Sequence, residues 1–184
     1  MKEHYDVIVV GTGAAGLYCA LNLPDRKNIL MITKKGADQS DSFLAQGGIC
    51  MLRGEGDYGD YFEDTMRAGH YENDRDAVSL MIRSSNSIIR DLLARNVDFA
   101  RNESGELEFT REGAHSQPRI LFHEDITGKE ITSKLLCQAQ NRENIEICEY
   151  MTMVDLISED NICGGVVVMD EKDEIYEVLS LIHI

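Results

Sequence analysis

The chain has 184 residues, 43% of them hydrophobic, and a formal net charge of −15 at pH 7. That length and apolar share suit a packed globular domain and exclude a disordered chain. The acidic balance argues against a nucleic-acid partner, and no apolar run reaches membrane-spanning length.

The N-terminal Met1-Lys2-Glu3-His4-Tyr5-Asp6 is no signal peptide, so a cytoplasmic protein without membrane attachment is expected. Cys19, Cys50, Cys137, Cys148 and Cys163 form no CxxC pair, which suits reduced thiols, and the scattered histidines give no metal site.

The run Tyr5-Asp6-Val7-Ile8-Val9-Val10 reads as a buried parallel strand. It leads straight into Gly11-Thr12-Gly13-Ala14-Ala15-Gly16, followed by small helix formers. A Gly-x-Gly-x-x-Gly turn between strand and helix points to a dinucleotide. Gly11 makes the turn, Gly13 admits a pyrophosphate, and Gly16 lets the helix pack on the strand. The free N–H groups of the helix N-terminus then face the phosphates. The helix is predicted over Ala14–Leu23, ending at Pro24, and a second strand over Asn28–Thr33 closes a βαβ unit. An NAD site would end that second strand on Asp or Glu. Thr33-Lys34-Lys35 stands there instead, which disfavours NAD and leaves a nucleotide with a 2′-phosphate open.

Ser40-Asp41-Ser42-Phe43-Leu44-Ala45-Gln46-Gly47-Gly48 follows without a helical pattern, and its double glycine lets backbone N–H groups lie against a flat ligand. The acidic, glycine-rich Arg53–Asp60 stretch lacks EF-hand spacing. Two helices are predicted between Tyr61 and about Val97, broken near Gly69–Asn73, with Asp74 or Asp76 as the second N-cap. Asp98–Gly113 reads as a hairpin turning at Glu103-Ser104-Gly105. Arg111–Ser116 is a flexible turn carrying Glu112 and His115, and Arg119 beyond it is either a cation for substrate carboxylates or a surface arginine. A helix over Thr127–Gln140 precedes strands at Ile145–Cys148, Met153–Ile157, Gly165–Met169 and from Glu174.

Three motifs occur in order: Gly11-Thr-Gly-Ala-Ala-Gly16, Ser42-Phe-Leu-Ala-Gln-Gly-Gly48 and Thr110-Arg-Glu-Gly-Ala-His115. With Glu63-Asp64-Thr65 and Asp125-Ile126-Thr127-Gly128 they make the chain resemble the L-aspartate oxidases of the succinate dehydrogenase/fumarate reductase flavoprotein superfamily. The resemblance implies an α/β fold: a Rossmann-like FAD-binding domain with a parallel sheet and additional strands and helices, incomplete at the C-terminus. It sets residues 1–178 within that domain, 179–184 as a non-matching tail, and the capping domain outside the chain.

The resemblance also implies site roles. Thr12 to Ala15 sit at the FAD pyrophosphate with Gly11 and Gly16, and Lys34 is a basic contact. Asp41, Ser42, Phe43, Leu44, Ala45, Gln46, Gly47 and Gly48 run along the ribityl chain and flavin ring, and Met153 lies by the adenine. Asp41 stands where the dehydrogenases carry a histidine bonded to the flavin, so FAD is expected to be non-covalent. Glu112 matches the glutamate that meets the α-ammonium of L-aspartate, with His115 a further substrate-binding candidate. The family follows this glutamate with two glycines. Ala114 replaces the second, at a cost of about 1 kcal/mol if that position needs positive φ.

The implied activity is oxidation of L-aspartate to iminoaspartate with oxygen or fumarate as acceptor, feeding quinolinate synthase and NAD biosynthesis. The arginine expected to move the proton falls beyond residue 184. The rivals are a fumarate reductase- or succinate dehydrogenase-like flavoprotein and a non-catalytic nucleotide-binding fragment.

Overall fold

The computed structural model describes residues 4–183. Met1–Glu3, part of the N-terminal segment read above, and Ile184 of the expected tail lie outside the described residues. The chain divides into two compact bodies: Met1–Leu44 with Thr132–Ile184, and Ala45–Ile131.

The first body is built on a six-stranded sheet. Its strands are β1 (His4–Val10), β2 (Ile29–Ile32), β5 (Ile145–Cys148), β6 (Thr152–Glu159), β7 (Ile162–Met169) and β8 (Ile175–His183), in the order β5-β2-β1-β8-β7-β6. The strands from β5 to β8 run parallel, and β8, β7 and β6 form an antiparallel meander. The composition of each strand follows its place. Val7, Ile8 and Val9 of β1 and all four residues of β2 are buried, as expected where a parallel strand is covered on both faces. In β7, Val166 and Val168 are buried while Val167 between them is half-buried, the period of two of a sheet with one dry face. The edge strand β6 is almost wholly exposed.

Helix α1 (Ala14–Asn22) buries Leu17, Ala20 and Leu21, and ends at Leu23, where Pro24 forbids continuation. Tyr5, Ile8, Leu30, Ile32, Val166, Val168 and Val178 make one apolar cluster in the sheet. Each large aliphatic side chain so buried contributes about 1.5–3 kcal/mol relative to exposure.

Residues 179–183, set apart on sequence grounds, continue β8 in the structure. His4 pairs with Leu179 and Ile8 with His183, in parallel register. Such pairing uses backbone N–H and C=O groups, which any strand-compatible sequence supplies.

The second body contains α3 (Tyr58–Ala68) and α4 (Arg75–Ala94), with a 3₁₀ turn at Glu55–Asp57 before α3. Leu52, Tyr61, Met66, Val78 and Ile82 form its apolar cluster. Asp74, one of the two caps predicted, accepts the Ala77 N–H at 2.8 Å and starts α4. Helix α5 (Thr127–Gln140) has the bounds predicted from its apolar spacing.

The hairpin expected over Asp98–Gly113 is present but short. Arg101 bridges Leu107, flanked by the Asn102 N–H on the Glu106 carbonyl and the Glu108 N–H on the Ala100 carbonyl, each at 2.9 Å. The Asn102 side chain takes the Ser104 and Glu106 N–H groups in the turn. Thr110 pairs with Ile120. Short elements read as loop also appear: α2 (Asp41–Leu44), and β3 (Ile49–Cys50) paired antiparallel with β4 (Ile120–Leu121). They are too short to show a period in sequence.

Candidate cofactor and substrate site

In the first body the site begins where β1 turns into α1. Gly11 adopts φ +105°, which L side chains avoid, and its N–H donates to the Ile32 carbonyl at 2.8 Å. A Cβ on Gly16 would run into the Gly11 carbonyl oxygen, so the helix can start this close to the strand only on glycine. Gly13 is the N-cap and provides no side-chain acceptor. The Ala14 N–H donates to Ser42 Oγ at 3.1 Å, which joins α1 to the following arm.

A cleft of about 530 Å³ opens over this turn. It gathers Gly11, Thr12, Gly13, Lys34, Asp41, Ser42 and Met153 of the predicted cofactor residues. Ala14, Ala15 and Gly16 follow in α1 and, like Phe43 and Leu44, do not line it. Thr12 is 2% exposed, yet its Oγ1 has no hydrogen-bond partner. A buried hydroxyl without a partner is costly, and beside a helix N-terminus with no acidic residue in its first turn it suits a phosphate oxygen. The residues present therefore fit a dinucleotide pyrophosphate. A larger cleft of about 620 Å³ lies where β1 begins, lined by Tyr5, Ile162 and Leu179 among others. It holds none of the predicted site residues and no helix N-terminus, so volume alone is a poor guide here.

Ala45, Gln46, Gly47 and Gly48, the rest of the predicted arm, belong to the second body. Ala45 O accepts the Gly128 N–H at 2.9 Å. A Cβ on Gly48 would collide with the Leu121 carbonyl oxygen and Ile120 Cγ2, so the approach of β4 already requires glycine there. Gly47 is open except toward Glu112: a Cβ there would stand 3.9 Å from Glu112 Oε2. The fold thus sets the predicted substrate carboxylate beside the double-glycine arm.

The Glu112 turn is closed at its base by two hydrogen bonds between Thr110 and Ile120, 2.9 and 3.1 Å. Gly113 has φ +54°, whereas Ala114 is not among the residues of positive φ. The left-handed position falls on the glycine that is present, and the strain considered for Ala114 does not arise.

Arg119 is neither a surface residue nor a free cation for substrate. It is 0% exposed and sits between two carboxylates: Nη2 lies 2.6 Å from Asp57 Oδ1, and Nη1 lies 2.7 Å from Asp64 Oδ2. The Tyr61 ring stacks under the guanidinium at 4.9 Å. Asp64 Oδ2 also accepts the Ser116 N–H and Oγ–H, each at 2.6 Å, and Arg67 reaches Oδ1 at 2.7 Å. Burial alone would raise the Asp64 pKa. The Ser116 hydrogen bonds and the Arg119 charge outweigh it and hold the carboxyl well below the usual range.

His115 lies 3.1 Å from Arg119 Nη1 through Nδ1 and 3.3 Å from Cys50 Sγ through Nε2. Burial, then the Arg119 charge, push the imidazole pKa down. Burial likewise raises the Cys50 thiol, so this pair is not an activated thiolate–imidazolium nucleophile.

The family description "FAD binding domain" matches residues 6–180. This chain belongs to the FAD-binding domain family. FAD is its cofactor, and the reading of a nucleotide with a 2′-phosphate falls away. Among relatives of this FAD-binding domain, an L-aspartate oxidase of Clostridium perfringens is 44% identical over 90% of this chain and 37% of its own. One from Clostridium acetobutylicum is 43% identical over 90% and 38%, respectively. The chain thus spans little more than a third of these relatives. Two solved structures share the fold. A quinol fumarate reductase FrdA of E. coli superposes with TM-score 0.91 at 21% identity, covering 98% of this chain and 32% of that one. A Mycobacterium smegmatis Sdh1 complex gives TM-score 0.89 at 22% identity, covering 98% and 34%.

The sequence reading missed the network around Arg119. Asp57 sat in a stretch read only as acidic loop, and Asp64 entered only through the Glu63-Asp64-Thr65 motif. Among the described residues no group of three or more His, Cys, Asp or Glu is placed to hold a metal, and no helix is long and apolar enough to cross a membrane.

Proposed function

We propose that this chain is the nucleotide-binding and substrate-loop part of an L-aspartate oxidase, converting L-aspartate to iminoaspartate with oxygen or fumarate as acceptor. The observation that carries the reading is the exposed Glu112 carboxylate beside Gly47 of the flavin arm. Its support is the 44% identity to an enzyme of that name.

FAD, when bound, supplies the two-electron acceptor. The N–H groups of Thr12, Gly13 and Ala15 and Thr12 Oγ1 would hold the pyrophosphate, with the Ala14 N–H tied to Ser42 and Gly11 and Gly16 shaping the turn. Lys34, Asp41, Ser42 and Met153 line the cleft. Lys34 and Met153 would take the adenosine side, and Asp41 to Gly48 would carry the ribityl chain and ring. Asp41 offers no imidazole for a covalent link, so the cofactor is held non-covalently. Glu112 accepts a hydrogen bond from the α-ammonium of aspartate, while succinate has no ammonium and meets only repulsion. His115 stands behind Glu112 on the same turn, its N–H donating to the Glu112 carbonyl at 3.3 Å. Proton transfer falls to an arginine outside residues 1–184, so the chain alone is expected to give no turnover. The reading sets the protein in the cytoplasm, with quinolinate synthase consuming its product on the way to NAD.

Glu112→Gln in the FAD-loaded oxidase carrying this chain is the test. Preference for aspartate over succinate should fall roughly tenfold to a hundredfold, the worth of one charge-assisted hydrogen bond. Unchanged selectivity overturns the substrate assignment, and vigorous peroxide production by the 184-residue chain alone overturns the placement of the proton-transfer group.

A further inference from the structure

We infer that Asp64, bridged to the buried Arg119, is the positioning residue of the Glu112 turn and fixes His115 as the neutral tautomer protonated at Nε2. The inference rests on the reading of that turn as substrate-facing, but its geometry is independent of the substrate.

The turn has two limbs. Its N-terminal limb is held by backbone alone, through Thr110 and Ile120. Its C-terminal limb makes no ladder. It is held by side chains of α3: Asp64 Oδ2 takes both the N–H and the hydroxyl of Ser116, and Arg67 donates to the Ala114 carbonyl at 3.2 Å. Ser116 itself is exposed, so these bonds are the visible reason for its fixed place. Three donors converge on one carboxylate oxygen, the third being Arg119 Nη1. A lone buried carboxylate would not sustain this. Arg119 balances it and is itself balanced by Asp57 through two contacts, 2.6 and 3.3 Å.

The same guanidinium dictates the histidine proton. Arginine only donates, so His115 Nδ1 must accept from Nη1, and a neutral ring then carries its hydrogen on Nε2. That hydrogen points at Cys50 Sγ. Cys50 lies in β3, two residues beyond Gly48, so the tautomer ties the turn to the flavin arm. The other groups facing the ring are the edge of Tyr61 and the charges of Asp57, Asp64 and Glu112. A positioned loop of this kind lowers the ordering cost when substrate binds.

The test has two readouts that need no substrate. In 15N-histidine-labelled protein, with His115→Gln assigning the ring, His115 should appear as a single Nε2–H tautomer near neutral pH. Hydrogen exchange over residues 111–117 should accelerate roughly tenfold to a hundredfold in Asp64→Asn, which weakens hydrogen bonds to a charged acceptor. Ser116→Ala should show a smaller acceleration and Ser116→Thr should restore protection. That exposed pair leaves the Arg119 ion pairs in place and decides the matter should Asp64→Asn not fold. In the FAD-loaded oxidase, Ser116→Ala should raise KM for aspartate with little change in kcat. An Nδ1–H tautomer, or equal exchange in all three variants, overturns the clamp. Clamp readouts as expected together with unchanged aspartate selectivity in Glu112→Gln would overturn the substrate reading alone.

Discussion

The two bodies of this chain solve opposite problems at their centres. The first has a dry interior, with Ile8, Leu30 and Ile32 at 0% exposure, and leaves its polar work to main-chain groups at the β1–α1 turn. The second puts charge inside: Arg119 at 0% and Asp64 at 3% exposure, wrapped by Asp57, Tyr61, His115 and Ser116. A phosphate is the same for every nucleotide, and backbone N–H groups suffice to bind it. On the proposed function, telling an amino dicarboxylate from a plain one would need a charged side chain held in one place, and the charged network holds the turn that carries Glu112. The first body thus offers backbone geometry to a ligand, and the second offers side-chain electrostatics.

That contrast sets the expected responses. The largest belongs to Arg119→Met, which leaves the half-buried Asp57 without its ion pair and the buried Asp64 with only Arg67 as cationic partner. Urea unfolding should report a loss of about 3–5 kcal/mol. A loss below about 1 kcal/mol would mean that the second body is held by its apolar cluster and the ion network is incidental. Leu30→Ala makes the corresponding cavity in the first body and should cost about 2–5 kcal/mol.

Acid should separate the bodies further. Asp64 has a folded-state pKa below its unfolded value, so its contribution is complete above the ordinary carboxylate pKa and disappears as pH falls through the lowered one. Stability followed by circular dichroism should therefore drop on going below about pH 4, and Asp64→Asn should flatten that limb. The smallest effect has the most telling sign. Thr12→Val removes a buried hydroxyl that has no partner, so stability without nucleotide should hold or rise by up to about 1 kcal/mol. FAD binding, read by flavin fluorescence quenching, should weaken roughly two- to tenfold. Weakened stability together with unaltered FAD affinity would break the assignment of that hydroxyl to the pyrophosphate.

The first body was largely legible in advance. Its β1–α1–β2 unit and the strands β5 and β7 follow from runs such as Val7–Val10 and Ile145–Cys148, and α5 was bounded correctly by its apolar spacing. The extension of β8 beside β1 was not legible, since a strand's neighbour leaves no local trace. The second body was legible in its helices and opaque in its site. The glycine pair illustrates why: read as room for a flat ligand, Gly48 is also required by the approach of Leu121, a residue 73 positions later (121 − 48).

What the sequence alone determined, then, is whatever depends on neighbours a few positions apart: strand, glycine turn, helix, and the motifs that mark an FAD-binding chain. Hydrophobic period, capping and φ preference act over one turn of helix or one pair of strands, so they survive reading in one dimension. Only the tertiary structure decided that Arg119 is buried rather than offered to substrate, that Asp57, Asp64 and Ser116 converge on or around it, and that Ala114 escapes strain. Coulombic pairing and desolvation depend on distance in space, and a carboxylate at 57 or 64 has no mark in the chain to show that it meets a guanidinium at 119.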